Sequence, residues 1–255
     1  MKFASLGSGS SGNATLVSSS TTTVLVDCGF GVRETDRRLS RLNISPQEIS
    51  ALVVTHEHSD HMKGVGAFSR KYQCPVFMSH GTYVSRDYGK IPCIEFISSG
   101  NPFTIGDLSV LPVTVPHDAR EPLQFIFENN NLRLGVLTDL GSVSEYVIQA
   151  YRNCDALLLE ANHDSRMLAS GPYPPSLRSR VGGQWGHLNN QQTAALLAEL
   201  NLQRLQHLVV GHISRQNNTV ELAKSALSGL EKLTQNILFA CQDDGFDWLE
   251  LNLSS

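Results

Sequence analysis

The stretch "VVTHEHSDHMKG", Val53 to Gly64, sets three histidines and one aspartate within six positions, directly after an apolar run. Residues 51–55 have the apolar, β-branched character of a buried strand. If extension continues past that run, His56 and His58 stand two apart and point to the same side. Asp60 and His61 follow at the turn into a helix. Imidazole and carboxylate at this density are ligand chemistry for a metal ion. The spacing is not the helical H-E-x-x-H of a zinc protease, because the histidines stand at i, i+2 and i+5. Two side chains on one side and two round the corner suit two divalent ions. Donors of this type favour zinc or manganese, with iron as an alternative, over calcium or magnesium alone.

Four ligands do not complete two sites, so more must come from elsewhere. The run VLPVTVPHD brings His117, LRLGVLTDLG brings Asp139, and LQHLVVGHIS brings His212. Each repeats one pattern, an apolar run with a ligand-type residue at its end. Sites built at strand ends have rigid supports and exposed tips. A carboxylate such as Asp139 is able to bridge two cations.

Composition narrows the frame. The chain has 255 residues, 41% hydrophobic, with a net charge of −4. That length is read as one domain over 1–255, with enough apolar content for a sizeable core. No global basic field advertises nucleic-acid binding, although an enzyme needs only a local patch. The five cysteines are odd in number, widely spaced and without a C-x-x-C pair, so buried thiols in a reducing compartment are expected. The N-terminal residues lack the apolar core of a signal peptide, and no long apolar run occurs. A cytoplasmic protein with no membrane association is the expectation.

Strands are expected at 2–6, 14–18, 23–26, 76–78, 108–115, 123–128, 132–137, 155–160, 205–210, 236–240 and 246–251. Helices are expected at 33–42, 62–72, 144–153, 189–200 and 220–233. The four residues ENNN, 128–131, read as a hairpin turn. The least regular stretch is 162–187. The alternation implies sheets covered by helices, with α/β character throughout.

The ordered set His56-x-His58-x-Asp60-His61, with Asp27 upstream and His117, Asp139 and His212 downstream, resembles the metallo-β-lactamase superfamily. That resemblance implies an αββα four-layer sandwich. By it His56, His58 and His117 hold a first metal ion, Asp60, His61 and His212 hold a second, and Asp139 bridges them. Asp27, in "VLVDCG", orients the ligand loop from behind. A finer resemblance is to the YycJ (WalJ/VicX) group. It is carried by GSGSSGN (7–13), THEHSDH (55–61), PHDA (116–119), TDLG (138–141), LLLEANHD (157–164), GPYP with a later GHLNN (171–174, 186–190) and GHIS-x-x-NN (211–218). That group is similar to nucleases acting 5′ to 3′ on DNA. Asp139 and His212 are only 73 residues apart, which leaves no room for the large cap domain of the RNA-cleaving members.

The implied activity is a dinuclear-metal hydrolase of phosphodiesters, a 5′-to-3′ DNA exonuclease with DNA as substrate. The alternative is a phosphodiesterase acting on a small nucleotide or other small diester. A redox or thiol-ester enzyme of the same fold, or a regulatory protein without turnover, stands as a third class. In the hydrolase reading Asp60 accepts a proton or orients the nucleophile, and His187, in "WGHLNN" before a helix, protonates the leaving oxygen. His163, in "EANHD", is a candidate for facing the site. Ser11 and Asn13, in the Gly/Ser loop 7–13, are candidate phosphate donors. Between Ser165 and Ala198 stand Arg166, Arg178 and Arg180 and no acid, a local positive patch for a phosphate backbone. Tyr173 and Trp185 lie in the same stretch as candidates for stacking on a base. Oligomeric state is not legible in the sequence.

Overall fold

The apolar run before the histidines is a strand, Ala51–Val53, with all three side chains buried. It belongs to the first of two compact units in a computed structural model that describes residues 1–230 and 237–253. The first unit comprises Met1–Thr114, Ala119–Leu132 and Cys241–Ser255, and the second Val115–Asp118 and Arg133–Ala240.

In the first unit the strands are β1 (Lys2–Gly7), β2 (Ala14–Ser18), β3 (Thr23–Val26), β4 (Ala51–Val53), β5 (Val76–Met78), β6 (Ile94–Phe96), β7 (Phe103–Ile105), β8 (Leu108–Thr114) and β9 (Leu123–Asn129). The second unit carries β10 (Leu132–Leu137, from Arg133 onward), β11 (Ala156–Glu160), β12 (His207–Gly211) and β13 (Ile237–Phe239). The closing strand β14 (Phe246–Glu250) returns to the first unit.

Seven strands of the first unit pair in the order β14-β1-β2-β3-β4-β5-β6. Strands β14 to β3 run antiparallel to their neighbours, and β3 to β6 run parallel. Strands β3 and β4 are buried along almost their whole length, which is why they read as apolar runs rather than alternating ones, whereas the edge strand β6 is largely exposed. Its core gathers Leu25, Leu52 and Val76 from the sheet with Leu39, Val65 and Phe68 from helices. Those helices are α1 (Val32–Arg41), α2 (Ser59–Met62), α3 (Val65–Tyr72) and α4 (His80–Val84). Strands β7, β8 and β9 pair as an antiparallel meander. At its end Asn130 and Asn131 both take positive φ, 48° and 65°, as a two-residue turn of the hairpin type demands.

The single helix expected over 62–72 is two. The first unit breaks it at Gly64, whose N–H donates to Cys28 O at 2.7 Å. A Cβ there would sit 2.1 Å from Phe30 O, so only glycine allows the approach.

In the second unit β10, β11, β12 and β13 are all parallel. Strand β11 is buried along its whole length, Glu160 included. The helices are α5 (Glu145–Tyr151), α6 (Ser165–Ser170), α7 (Pro175–Val181), α8 (Asn190–Glu199) and α9 (Val220–Leu227). The stretch 162–187, expected to be irregular, holds α6 and α7. Asp164 caps α6 by accepting from Arg166 N and Met167 N at 2.9 Å each, and Pro175 opens α7. Both helices are under two turns long, too short to show a 3.6-residue period. The expected helix end at 231–233 and the strand start at 236 lie outside the described residues. No helix among the described residues is long and apolar enough to cross a membrane.

Candidate metal centre

Two groups of buried donors stand at strand ends, one in each unit. In the first unit β3 ends at Val26 and β4 at Val53, and the residues just past them face one another. Asp27, with φ of 61°, is held in a left-handed conformation. Its Oδ1 accepts from Thr55 N at 2.8 Å, and its Oδ2 lies 2.8 Å from Thr55 Oγ1 and 2.7 Å from His61 Nδ1. Burial pushes the Asp27 carboxyl up, against the pull of His61 and Thr55. A carboxylate behind the imidazole fixes the tautomer, so that His61 Nε2 faces forward. Thr55 Oγ1 lies 3.0 Å from His56 Nδ1, and this likewise leaves His56 Nε2 forward.

His56 Nε2 is 3.0 Å from His58 Nδ1. Two nitrogens on one tetrahedral zinc ion are separated by roughly 3.3 Å, given bonds of about 2.0–2.1 Å. His56 and His61 are fully buried, and His58 and Asp60 are half-buried. Asp60 Oδ2 lies 3.5 Å from His61 Nε2. Asn13 Nδ2 reaches both, at 3.3 Å from Asp60 Oδ2 and 3.1 Å from His61 Nε2, while its Oδ1 accepts from Gly9 N at 2.7 Å. Imidazole nitrogens and carboxylate oxygens therefore converge in a buried place, and this donor set fits a divalent ion.

The second unit makes its own group. Asp139 follows β10, Glu160 ends β11 and His212 follows β12. With His187 they each offer a donor atom, all within 4.8 Å of one another. His212 Nδ1 stands 3.2 Å from Thr138 O, 3.2 Å from Asp139 Oδ1 and 3.4 Å from Glu160 Oε2. Its φ of 52° is a second left-handed site residue, and Asn162 Nδ2 holds its carbonyl at 3.0 Å. Backbone in that region is costly for a non-glycine residue and is found where surroundings over-determine it. His117 Nδ1 bonds Gly186 O at 2.9 Å, and its ring packs 5.2 Å from that of His187.

A family profile described as "Beta-lactamase superfamily domain" matches residues 22–213. The chain belongs to that superfamily. Within the superfamily it is similar to the Bacillus anthracis protein named exodeoxyribonuclease YycJ, 35% identical over 232 residues that cover 89% of this chain and 88% of that one. It is also similar to exodeoxyribonuclease WalJ of Streptococcus pneumoniae, 34% identical over 228 residues, 87% of this chain and 85% of that one. Among solved structures, the metallo-β-lactamase fold protein YhfI of Bacillus subtilis superposes with a TM-score of 0.73 at 15% identity, covering 98% of this chain and 99% of that one. The expected fold class is thereby shown, and this β-lactamase superfamily member is a metal-dependent hydrolase.

The residues expected to bind substrate are distributed unevenly around these groups. Asn13 is turned onto Asp60 and His61. Ser11 is exposed, and its N–H donates to Gln242 Oε1 at 2.9 Å. Arg180 pairs with Asp118, so the patch of three arginines has only two without a carboxylate partner, Arg166 and Arg178, among the described residues. His163 is buried and lines a cleft with Arg178. The helix after His187 has few donors to spare. Asn189 accepts from Gln192 N at 2.8 Å, Gln192 Oε1 accepts from Asn189 N at 2.9 Å, and Asn190 N donates to His163 O at 3.0 Å. His187 is instead held by Glu160, whose Oε2 is 3.1 Å from its Nδ1.

Glu160 is the residue that the sequence reading passed over. Its Oε1 accepts from Leu140 N at 2.9 Å and Leu188 N at 3.1 Å. Burial acts to raise this carboxyl, but the His187 and His212 imidazoles outweigh that and hold it below the usual carboxylate range. "DALLLE" carries the signal that singled out Asp139 and His212, an apolar run closed by one donor.

Proposed function

We propose that the protein is a dinuclear-metal phosphodiesterase that degrades DNA exonucleolytically from 5′ to 3′. The observation that carries this reading is the pair of buried donor groups at strand ends, in a chain that shares about a third of its residues with two proteins named exodeoxyribonucleases along most of both lengths. The superfamily pattern assigns His56, His58 and His117 to one ion, Asp60, His61 and His212 to the other, and Asp139 to both. Zinc or manganese suits these donors, with iron as the alternative. The whole chain then serves as one functional domain, and a cytoplasmic location goes with a DNA substrate.

Two such ions, when bound, supply charge neutralisation for the attacking and leaving oxygens and a water acidic enough to ionise near neutral pH. The protein's own residues do the rest. Asp60, half-buried and steadied by Asn13 Nδ2, is placed to hold the proton of the attacking water. His187 donates from its Nε2 side to the departing sugar oxygen, while Glu160 holds Nδ1 and stabilises the imidazolium. Asp27 and Thr55 keep His56 and His61 in the ligand tautomer.

The test is a metal-reconstituted assay on 5′-labelled single- and double-stranded DNA beside a small chromogenic diester, with His58→Ala as control. Release of mononucleotides from the 5′ end, absent in His58→Ala, is the expected result. Diester turnover with no DNA cleavage under any divalent metal replaces the nuclease with a small-diester phosphodiesterase. Full activity in His58→Ala removes the mechanism.

A further inference from the structure

Helices α6 and α7 of the second unit enclose an open cleft of about 470 Å³. That volume lies in the range of roughly 300–1,000 Å³ that small ligands occupy. One wall is aliphatic, from Leu168 and Pro175. Ser165 and Ser179 bring hydroxyls, Arg178 brings a guanidinium, and His163 is buried at the edge of the cleft.

The charge balance points to an anion. Arg178 carries the only formal charge among the lining side chains, and no carboxylate lines the cleft. Its Nη1 donates to Ala169 O, which fixes the guanidinium across the gap between the helices. Its remaining N–H groups have no protein acceptor among the described residues. Asp164, the acid nearest to Arg178 in sequence, is occupied with the α6 N–H groups. Fixed, carboxylate-free arginine beside two hydroxyls is the donor pattern for a phosphate.

The rest of the cleft points to a base. His163 Nδ1 is buried and has no hydrogen-bond partner among the described residues. A buried polar atom left unmet is costly, and a ligand that meets it is favoured. Its other nitrogen, Nε2, lies 3.9 Å from where a Cβ on Gly182 would stand, on the cleft side of the ring. An apolar wall with one imidazole beside it suits the face and edge of a heteroaromatic ring. The cleft also adjoins the donor group of its unit, because the end of α7 binds His187 through His187 N to Val181 O at 2.8 Å.

We infer that the α6–α7 cleft is a nucleotide subsite, in which Arg178, Ser165 and Ser179 take a phosphate and the Leu168–Pro175 wall with His163 takes the base. It deepens the nuclease reading, on which the identity of the occupant as a unit of a DNA strand rests. The occupant's chemistry, a nucleoside phosphate monoester, has two sources: the 5′-phosphorylated end of a strand and the released mononucleotide.

The experiment is calorimetric titration of the full chain, in chelator, with deoxyadenosine 5′-monophosphate, deoxyadenosine and inorganic phosphate. Short single strands with and without a 5′ phosphate make the second arm. The mononucleotide is expected to bind at least roughly tenfold more tightly than the nucleoside, the scale of one charge-assisted hydrogen bond. Arg178→Ala is expected to remove that preference and Arg178→Lys to restore part of it. Since Arg178 also ties α7 to α6 through Ala169 O, Ala169→Phe is the second variant, which fills the cleft from an exposed position and keeps both the arginine and the backbone carbonyl it uses. A 5′-phosphate preference among strands assigns the strand end as occupant, and its absence beside tight mononucleotide binding assigns the product. Equal binding of nucleotide and nucleoside, or mononucleotide affinity unchanged in both variants, overturns the subsite. DNA turnover in the intact protein that Ala169→Phe leaves unchanged in kcat and KM also overturns it, and leaves the nuclease standing. Phosphate-dependent nucleotide binding lost in Ala169→Phe, in a protein that cleaves no DNA, upholds the cleft and removes the nuclease.

Discussion

Glu160 Oε2 lies 3.1 Å from His187 Nδ1 and 3.4 Å from His212 Nδ1, so one fully buried carboxylate serves two imidazoles. A glutamine there keeps the size and, through its Oε1, the bonds to Leu140 N and Leu188 N, but presents its amide NH2 to both rings in place of Oε2. Glu160→Gln is therefore expected to lower kcat or metal affinity by about 10–100-fold while the protein stays folded. Glu160→Ala removes all four partners and is expected to cost on the order of 3–5 kcal/mol of stability. Steady-state kinetics, metal analysis and urea unfolding of the two variants check this. Wild-type turnover in Glu160→Gln would falsify the role given to the pair.

Gly29 tests how closely the first unit is packed behind its ligands. Asn13 N donates to Asp60 O at 2.7 Å, and Gly29 N donates to Asn13 O at 2.9 Å. A Cβ on Gly29 would lie 1.8 Å from Asp60 O, against backbone that has nowhere to go. Gly29→Ala is expected to destabilise the fold by about 2 kcal/mol or more. It is also expected to weaken metal binding, because Asp60 must move. A urea midpoint within error of wild type contradicts the packing described.

Burial drives the His163 pKa down, from an ordinary 6.5 to about 4. Between those values the unfolded chain binds a proton that the folded chain refuses. Stability from this residue is therefore complete above pH 6.5 and is lost as pH falls toward 4, by about 3 kcal/mol over the window. Urea unfolding at pH 7, 5.5 and 4.5 should show this decline, and His163→Gln should flatten it. A parallel decline in both proteins assigns the acid sensitivity elsewhere.

The thiols divide by environment. Cys28 and Cys74 are buried, and burial pushes both up to about 12. Cys154 is buried too, while Cys93 and Cys241 are exposed. Alkylation of the native protein at pH 8 should modify Cys93 and Cys241, and the other three only after unfolding. Peptide mass spectrometry reads this directly, and early labelling of Cys28 contradicts the burial.

The strands were the most legible part of the fold. Residues 14–18, 23–26, 76–78 and 132–137 are strands with the expected limits, because apolar runs between turn residues have few other outcomes. Besides α6 and α7, three more short elements escaped. Strands β6 and β7 have three residues each, below the length at which alternation is visible, and α4 is built on "HGTYV", which has little helical pattern. At the donor groups the histidines and Asp139 were visible from residue type and position after a strand. Asn13's attachment to Asp60 and His61 was not, because 47 residues separate Asn13 from Asp60 and an asparagine in a Gly/Ser loop looks like a turn. The pairing of Arg180 with Asp118, 62 residues apart, escaped in the same way and made the basic patch look larger than it is.

Asp27, Asp139 and His212 each begin the loop after a parallel strand or lie one residue into it, and none is part of the strand that carries it. The apolar interior therefore has no stake in which donors those loops present. Reactivity in such an architecture is rewritable at the tips: a different metal preference or a different leaving group asks for a handful of loop substitutions and leaves the strands themselves alone.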